Sequence, residues 1–449
     1  MERKAKAGVV PLMLLFSLGC SVRDRSVRAE EICGEYWMGI YLAGHKAGFS
    51  HIKVEEHGRG EQKGFRIFSE SRLAMSLLGQ EVQTDVITVE HAGEDLAPRD
   101  LDCLITSGGR SMRVVAKFSK TEVRCQVTSG DETSEKVVPI PEGVTLQMDP
   151  DLETRARPME PDDERTFHFF NPMSLAVEEG NLKALRWEEI EYRGKQVKAL
   201  AIEMKTPGLR LTNWVDENGE VLKITHPIGL TMITEPKEVA LEGQKREYLP
   251  APDLASVARV RTPQPIANPR DASFLKVRMR GLPEGFKVPS DGQKVSSAEK
   301  GEVVLEVTAK RLPDQGASLP LQDAEREQYL RSTTYLNSAS EDIASLAKSI
   351  VGEETDSARA AKAIGTWVNE NLRPRGDMGV VRAATDVLAT HSGVCRDYAA
   401  LYAALARAAG VPTRVVGGLC YWRDGFYYHA WAESYVGLWV AVDPALPSL

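Results

Sequence analysis

The sequence lacks several features that mark whole classes of proteins. It has no excess of positive charge, because 56 Lys and Arg residues stand against 64 Asp and Glu residues, giving a net charge of −8. With no long basic run either, this balance argues against a nucleic-acid partner. Beyond the N-terminal region no stretch is apolar for long enough to span a bilayer. The sequence also contains no internal repeat and no low-complexity tract.

Motifs for metal binding are missing as well. The chain has six cysteines, but no CxxC, no HExxH and no clustered His/Cys pattern. Structural and catalytic metal sites depend on such spacings, so we expect neither a metal site nor a cofactor. Any chemistry should therefore come from the side chains themselves.

The length and composition fit a soluble protein of several domains. The chain has 449 residues, of which 42% are hydrophobic and 27% are charged. This is too long for one ordinary domain. We predict an α+β protein whose mainly antiparallel β domains precede a C-terminal core of helices and antiparallel sheet.

The N-terminus has the pattern of an export signal. Positive residues at Arg3, Lys4 and Lys6 precede an apolar run, which predicts a signal peptide at 1–19. The segment from Ser17 to Cys20 resembles a bacterial lipobox, with Ser17 where Leu is usual. The resemblance implies a lipid on Cys20, a tether at 20–35 and a periplasmic location on a membrane, with the outer membrane favoured. The alternative is an ordinary secretory signal in which Cys20 has no role.

Residues 36–249 show mostly β signals. Short strand-like segments recur, and Leu209–Asp216 and Glu220–His226 predict a hairpin around the turn dipeptide Asn218-Gly219. Cys103 and Cys125 lie in strand-like segments, so an oxidising envelope would permit a disulfide between them. The aromatic run Phe167–Phe170 with His168 and His226 fits either a ligand groove or a half-buried sheet face.

A Pro-rich connector separates this region from the rest of the chain. It begins at Leu249 and opens a predicted small β module at 250–322. Helical signals then dominate 323–449. Ser338 to Glu341 has the form of a capping box, and the apolar residues behind it share one helical face.

Cys395 stands where a loop becomes a helix. An apolar, Ala-rich stripe follows it as far as Gly410, which predicts the helix end. A thiol at a helix N-terminus is favoured as thiolate by the helix dipole and by unpaired backbone N–H groups. The same N–H groups can hold a developing oxyanion, and we name that of Cys395 as one donor.

Two later β segments contain His429 and Asp443. A three-residue loop, Tyr435-Val436-Gly437, would pair Ser434 with Leu438 and place His429 directly across from Asp443. Opposed side chains lie within hydrogen-bonding range, so the carboxylate could fix the imidazole tautomer and the imidazole could pair with Cys395. Taken singly, each of the three residues is more often structural. Cys420 is the competing thiol, and its apolar surroundings indicate a core residue.

Four blocks in this region resemble the transglutaminase-like superfamily, which has a papain-like core. They are Gly393-Val394-Cys395, Arg407 to Gly417, His429-Ala430-Trp431 with Glu433, and Trp439 to Pro444. The resemblance covers 323–449 and implies a catalytic triad of Cys395, His429 and Asp443. It also implies a protein or peptide substrate.

We therefore expect a cell-envelope cysteine enzyme that acts on amide bonds through a thioester on Cys395. Hydrolysis as a peptidase or amidase is favoured over cross-linking, by analogy with bacterial proteins that resemble this one. The alternative is a non-catalytic envelope lipoprotein that serves as a binding or docking module.

Overall fold

The computed structural model describes residues 29–77, 80–130, 132–207, 209–227, 229–242, 257–280, 292–299, 302–321, 324–375 and 381–446. The predicted signal peptide at 1–19 and Cys20 lie outside the described residues. Within these ranges the chain forms two compact units, one ending at Ala258 and one beginning at Arg259. Residues 29–35, predicted as the end of a tether, instead form a short helix and the start of a strand, because Ile32 is fully buried.

The first unit is built on one antiparallel sheet, which has fourteen strands in the described residues. Its strands are β1 Gly34–Leu42, β2 His45–His57, β3 Gly64–Leu77, β4 Gln80–Gly93, β5 Pro98–Ser107, β6 Arg110–Phe118, β7 Glu122–Ser129, β8 Glu132–Pro139, β9 Glu164–Asn171, β10 Ala176–Tyr192, β11 Lys195–Thr206, β12 Leu209–Val215, β13 Val221–Thr225 and β14 Leu230–Thr234. Within the described residues, three short helices accompany the sheet: α1 Ala29–Ile32, α2 Pro150–Ala156 and α3 Lys237–Ala240.

The sheet consists of two meanders joined at one seam. Strands β1 to β8 run outwards in sequence order from the seam, and β14 back to β9 run outwards on its other side. At the seam β1 pairs with β14, so that Met38 lies opposite Thr234. Every other neighbouring pair in the sheet is also consecutive in the chain.

Alternation of side chains decides which face of the sheet is buried. In β6, Met112, Val114 and Ala116 are fully buried, whereas Arg113 between the first two and Lys117 after the third are exposed. A period of two is what a strand with one buried face requires. Phe167 and Phe169 likewise lie in the core, which agrees with the half-buried sheet face expected as one of two alternatives for this segment.

The predicted hairpin around Asn218-Gly219 is confirmed, since β12 pairs with β13. Some of the remaining strands were not predicted. The longest of them, β10, carries charged residues at most of its solvent-facing positions, and this obscures its apolar period.

The possible disulfide between Cys103 and Cys125 does not form in the structure. Both thiols are free. Cys103 lies on β5 opposite Val114, and Cys125 lies on β7 opposite Ala116, so β6 separates the two cysteines. The disulfide interpretation is therefore wrong.

The second unit combines four helices with small sheets in its described residues. Its strands are β15 Val260–Arg261, β16 Phe274–Arg280, β17 Gln293–Glu299, β18 Glu302–Thr308, β19 Arg373–Pro374, β20 Ser392–Gly393, β21 Thr413–Trp422, β22 Gly425–Tyr435 and β23 Trp439–Val442. Its helices are α4 Glu341–Val351, α5 Ser357–Asn371, α6 Ala384–Thr390 and α7 Cys395–Ala408.

Strand β22 is the centre of the sheet that carries the predicted site. It pairs with β21 along its whole length, with β15 near its start and with β23 near its end. Strands β16, β18 and β17 form a separate antiparallel sheet. The predicted small β module at 250–322 therefore contributes three strands to that sheet, but its residues Val260 and Arg261 join the sheet of β22. The predicted boundary at 322 stays a prediction.

Helix α7 is the most deeply buried helix of this unit. Its residues from Tyr398 to Ala406 are buried, and they pack against α4, α5, α6 and β22. Gly410 ends the helix region with a φ of +82°, a conformation that glycine adopts without strain, as predicted. The N-cap of α4 is Ser340, whose hydroxyl accepts from the N–H of Ile343, so the prediction of a capping box starting at Ser338 is wrong. Among the described residues, no helix has both the length and the apolar character needed to cross a bilayer.

Candidate active site

Cys395 is the first residue of α7. The chain reaches it through β20, which pairs in parallel with β19, and through Val394 in an extended conformation. The backbone N–H groups of a first helical turn have no acceptor within the helix. The half-buried thiol of Cys395 therefore lies at the positive end of the helix dipole, as the sequence predicts.

Asp397 caps this helix from its first turn. Its Oδ2 accepts a hydrogen bond from the N–H of Val394 at 3.2 Å. Gly393 is needed for this approach, because a Cβ at that position would lie 2.4 Å from the Cβ of Asp397. Asp397 itself is only 3% exposed.

His429 and Asp443 form the second part of the site. The imidazole Nε2 of His429 lies 2.7 Å from Oδ2 of Asp443, which confirms the predicted contact. Asp443 directly follows β23, and its Oδ1 also accepts from the N–H of Ala445 at 3.1 Å. Because each oxygen of the Asp443 carboxylate accepts a hydrogen bond, the carboxylate fixes the orientation of the imidazole ring.

The register that produces this contact differs from the prediction. Tyr435 pairs with Trp439 and Ala432 pairs with Val442, so Ser434 lies opposite Val440 rather than Leu438. The loop still has three residues, but they are Val436, Gly437 and Leu438. The prediction that Asp443 lies directly across from His429 is therefore wrong. The two side chains meet diagonally along the same face of the sheet.

Cys395 completes a hydrogen-bonded chain with these residues. The side chain of His429 forms a hydrogen bond with the thiol, and the backbone N–H groups of Ala430 and Arg396 also donate to the sulfur. Because Nε2 of His429 is held by Asp443, Nδ1 is the ring nitrogen left for Cys395. The structure thus brings together all three residues that the sequence singled out.

The electrostatics of the pair favour a thiolate next to an imidazolium. Burial opposes ionisation of Cys395, but the hydrogen bond and positive charge of His429, with the two backbone N–H groups, outweigh it and lower the pKa of the thiol. Burial also disfavours the charged form of His429, yet its hydrogen bonds with Asp443 and Cys395 raise its pKa to about 10. Between these two pKa values the thiol is ionised and the imidazole is protonated.

Trp431 and Gly418 support the imidazole from the side. The rings of Trp431 and His429 are nearly parallel, at 21°, with their centroids 6.3 Å apart. Gly418 lies opposite His429 on β21, and a Cβ there would come within 2.5 Å of the indole Cη2 of Trp431. The indole ring can occupy this position only because residue 418 has no side chain.

Cys420 lies closer to the site than predicted. It is half-buried on β21, and its pKa is raised by burial and by the negative charges of Asp443 and Cys395. The interpretation of Cys420 as a core residue without acidic neighbours is therefore wrong. With a raised pKa, Cys420 is a poorer nucleophile than Cys395 at neutral pH.

The role of Asp397, the N–H of Ala430 and the space at Gly418 were not found from the sequence. Asp397 has the spacing of a capping residue, three positions after Val394, but Val394 has no polar side chain to complete a capping box. Among the described residues, no group of three or more His, Cys, Asp and Glu side chains is arranged to hold a metal ion.

The segment that contains this site is similar to a known family. Residues 344–444 match the model of the transglutaminase-like superfamily. None of the curated proteins compared with the chain matches it.

Three solved structures are similar to parts of this chain, at low sequence identity. A candidate cysteine protease from Cytophaga hutchinsonii is 20% identical over 38% of this chain and 64% of its own length, less than two thirds, with a TM-score of 0.29. A beta-barrel-like protein of a domain of unknown function from Brucella abortus is 11% identical over 45% of this chain and 95% of its own, with a TM-score of 0.32. A candidate protease from Parabacteroides distasonis is 12% identical over 82% of this chain and 64% of its own, with a TM-score of 0.20.

Proposed function

Because residues 344–444 form a transglutaminase-like superfamily domain, we propose that the protein is a cysteine enzyme that cleaves amide bonds through a thioester on Cys395. The observation that carries the proposal is the hydrogen-bonded chain from Cys395 through His429 to Asp443 at the start of α7. A half-buried thiol whose pKa is lowered, next to an imidazole whose pKa is raised, is the arrangement that nucleophilic catalysis by cysteine needs.

In the first half of the reaction, the thiolate of Cys395 attacks the carbonyl carbon of an amide. A C–S bond forms, and the carbonyl oxygen becomes an oxyanion that the backbone N–H of Cys395 can stabilise. The imidazolium of His429 then gives its proton to the amide nitrogen, the C–N bond breaks and an amine leaves. The acyl group remains on Cys395 as a thioester.

In the second half, we propose that water attacks the thioester. The now neutral His429 takes a proton from the water, the C–S bond breaks and a carboxylic acid leaves. The thiolate and the imidazolium are restored together. The side chains of His429 and Asp443 are 16% and 21% exposed, so water can reach them. The choice of water over an amine follows the analogy with bacterial proteins that resemble this one.

Alkylation of the thiol tests the catalytic proposal. Iodoacetamide should modify Cys395 quickly near neutral pH, and His429→Ala should slow the reaction, since the imidazolium that stabilises the thiolate is gone. Cys420→Ser is the control, because removal of the neighbouring thiol should leave the fast reaction in place. Slow labelling of Cys395 at the same rate in the native protein and in His429→Ala would favour a non-catalytic docking module.

Thioester trapping addresses the substrate and the acyl acceptor. Peptide libraries incubated with the protein and quenched in acid should leave an acyl group on Cys395, detectable by mass spectrometry. Release of a free carboxylic acid in water labelled with ¹⁸O would support hydrolysis. Transfer of the acyl group to an added primary amine, in preference to water, would instead make the protein a cross-linking enzyme.

We also propose that the protein is held at a membrane of the bacterial envelope, facing the periplasm, by a lipid on Cys20. The lipobox-like sequence from Ser17 to Cys20 supports this location. Cys20→Ser should release the protein from the membrane fraction, whereas Cys33→Ser, a matched change beyond the proposed lipid site, should not. Unchanged fractionation of Cys20→Ser would refute the anchor.

A further inference from the structure

A buried arginine lies behind the segment that delivers Cys395 to the site. Arg382 is 6% exposed, and its guanidinium donates at 2.7 Å to the backbone carbonyl oxygens of Ser392 and Asp386. It also contacts the hydroxyl of Thr390. One side chain thus holds the last turn of α6 and the strand β20 that leads to the nucleophile.

The same guanidinium reaches the residue that caps α7. Nη1 of Arg382 lies 3.4 Å from Oδ2 of Asp397, the oxygen that accepts from the N–H of Val394. Counted for the side chains alone, Arg382 is 7% exposed and Asp397 is 4% exposed. A buried charge requires a partner, and here each charge provides it for the other.

The charge of Asp397 has two opposing effects at the start of α7. An acidic residue in a first helical turn stabilises the helix, but its negative charge opposes ionisation of a neighbouring thiol. Asp397 is two residues after Cys395 and competes for the same positive helix end. Arg382 places a positive charge on the buried side of Asp397, at 3.4 Å, and Arg396 adds a weaker contact at 3.8 Å.

We propose that Arg382 and Asp397 are positioning residues for the nucleophile, which together fix the N-terminus of α7 while keeping the charge of the cap from suppressing the Cys395 thiolate. The inference rests on the proposed function, because it assigns Arg382 and Asp397 a role through Cys395. Neither residue is required to touch the substrate.

Several other groups set the charge around the thiol and must be held constant in a test. In the described part of the chain, the charged or titratable side chains near the thiol end of α7 include His429, Asp443, Cys420, Arg396, Asp397 and Arg382. Single substitutions at Arg382 and at Asp397 leave the other members of this set in place. The two substitutions change the net charge near Cys395 in opposite directions.

The test is the pH dependence of Cys395 alkylation by iodoacetamide in the full-length protein. Arg382→Met keeps the aliphatic stem but leaves Asp397 without its main cation, so the alkylation midpoint should rise by about half a unit to one unit. Asp397→Asn keeps an oxygen that can accept from Val394 but removes the negative charge, so the midpoint should fall by a similar amount. The double variant should return close to the native midpoint.

A structural role alone would give a different result. Arg407→Met is the control, because Arg407 is a partly buried arginine, donates to the carbonyl oxygens of Thr413 and Arg331, and lies at the far end of α7. It should lower the melting temperature without moving the midpoint. If Arg382→Met does not fold, Asp397→Asn alone still decides the sign.

Unchanged midpoints in folded Arg382→Met and Asp397→Asn, or shifts of the same sign, would overturn the inference. Failure of the proposed function is distinguishable from this outcome. It would appear in the native protein itself, as a slow alkylation of Cys395 with an ordinary thiol midpoint that His429→Ala does not change.

Discussion

The imidazole of His429 and the carboxylate of Asp443 meet at 2.7 Å although the strand register offsets them by two residues. Extension of the β22–β23 register beyond Val442 places Asp443 opposite Trp431. The carboxylate reaches back along the sheet to the ring, so its position depends on the end of β23 and on the N–H of Ala445. The contact needs a short acidic side chain at this point.

Asp443→Asn should weaken the ion pair between Cys395 and His429. The amide cannot stabilise an imidazolium as a carboxylate does, so the pKa of His429 should fall from about 10 and that of Cys395 should rise. Amide cleavage should drop by roughly 10²- to 10⁴-fold, and alkylation at neutral pH should slow as well. Asp424→Asn is a control in the turn between β21 and β22 of the same sheet. An Asp443→Asn enzyme with native rates would contradict the role of this carboxylate.

The pH profile of amide cleavage should have two limbs. On the acidic side the rate falls as the Cys395 thiolate takes up a proton, and this limb lies at lower pH than for an ordinary thiol, because the pKa is lowered. On the basic side the rate falls near pH 10, where His429 loses the proton that the leaving amine needs. Alkylation, which needs no proton donor, should show only the acidic limb. An alkylation rate that falls again above pH 10 would argue against this assignment.

Gly418→Ala should disturb the imidazole through Trp431. The new methyl group would come within 2.5 Å of the indole, so the ring must move away from its place beside His429. We expect a loss of about 1–3 kcal/mol in the free energy of unfolding and a fall in kcat. Trp431→Phe in the same chain should relieve part of the clash, so the double variant should be more stable than additivity predicts. Strict additivity of the two changes in unfolding free energy would exclude the contact.

Tyr402→Phe should loosen the attachment of α7 to the strand that bears His429. The Tyr402 hydroxyl lies 2.8 Å from the hydroxyl of Ser434, which in turn lies 2.9 Å from that of Thr413. Removal of a buried hydrogen bond typically costs about 1–2 kcal/mol in unfolding free energy. Because Ser434 is on β22, Cys395 alkylation should slow as well.

Tyr398→Phe provides the comparison for this change. Its hydroxyl is on the same helix but donates to the carbonyl of Leu372, away from β22. It should cost stability without a comparable effect on alkylation. Calorimetry and alkylation rates measured on both variants separate the two effects, and equal alkylation rates would contradict a special role for Tyr402.

The sequence was most informative where local chemistry and periodicity agree. The helix that begins at Cys395 was predicted closely, since a buried stripe and the terminal Gly410 define it. The contact between His429 and Asp443 was also predicted, although its register was not. Register depends on which three residues form the loop before Trp439, and one glycine is compatible with more than one choice.

The parts that were missed depend on contacts between distant residues. No local pattern indicates that Arg382 reaches Ser392 and Asp397, because its partners are mostly backbone carbonyls. Cys420 was misplaced for a related reason, since only the paired strands bring it near Asp443. The long strand β10 was missed because its charged outer face hides the apolar period.

The pairing of β1 with β14 affects the order in which the strands of the first unit can fold. Each meander contains only pairings between strands that follow one another, which need short loops and form quickly. Met38, by contrast, can pair with Thr234 only after nearly the whole unit has been synthesised. The outer strands can thus assemble during translation, and the middle of the sheet is the last place to close.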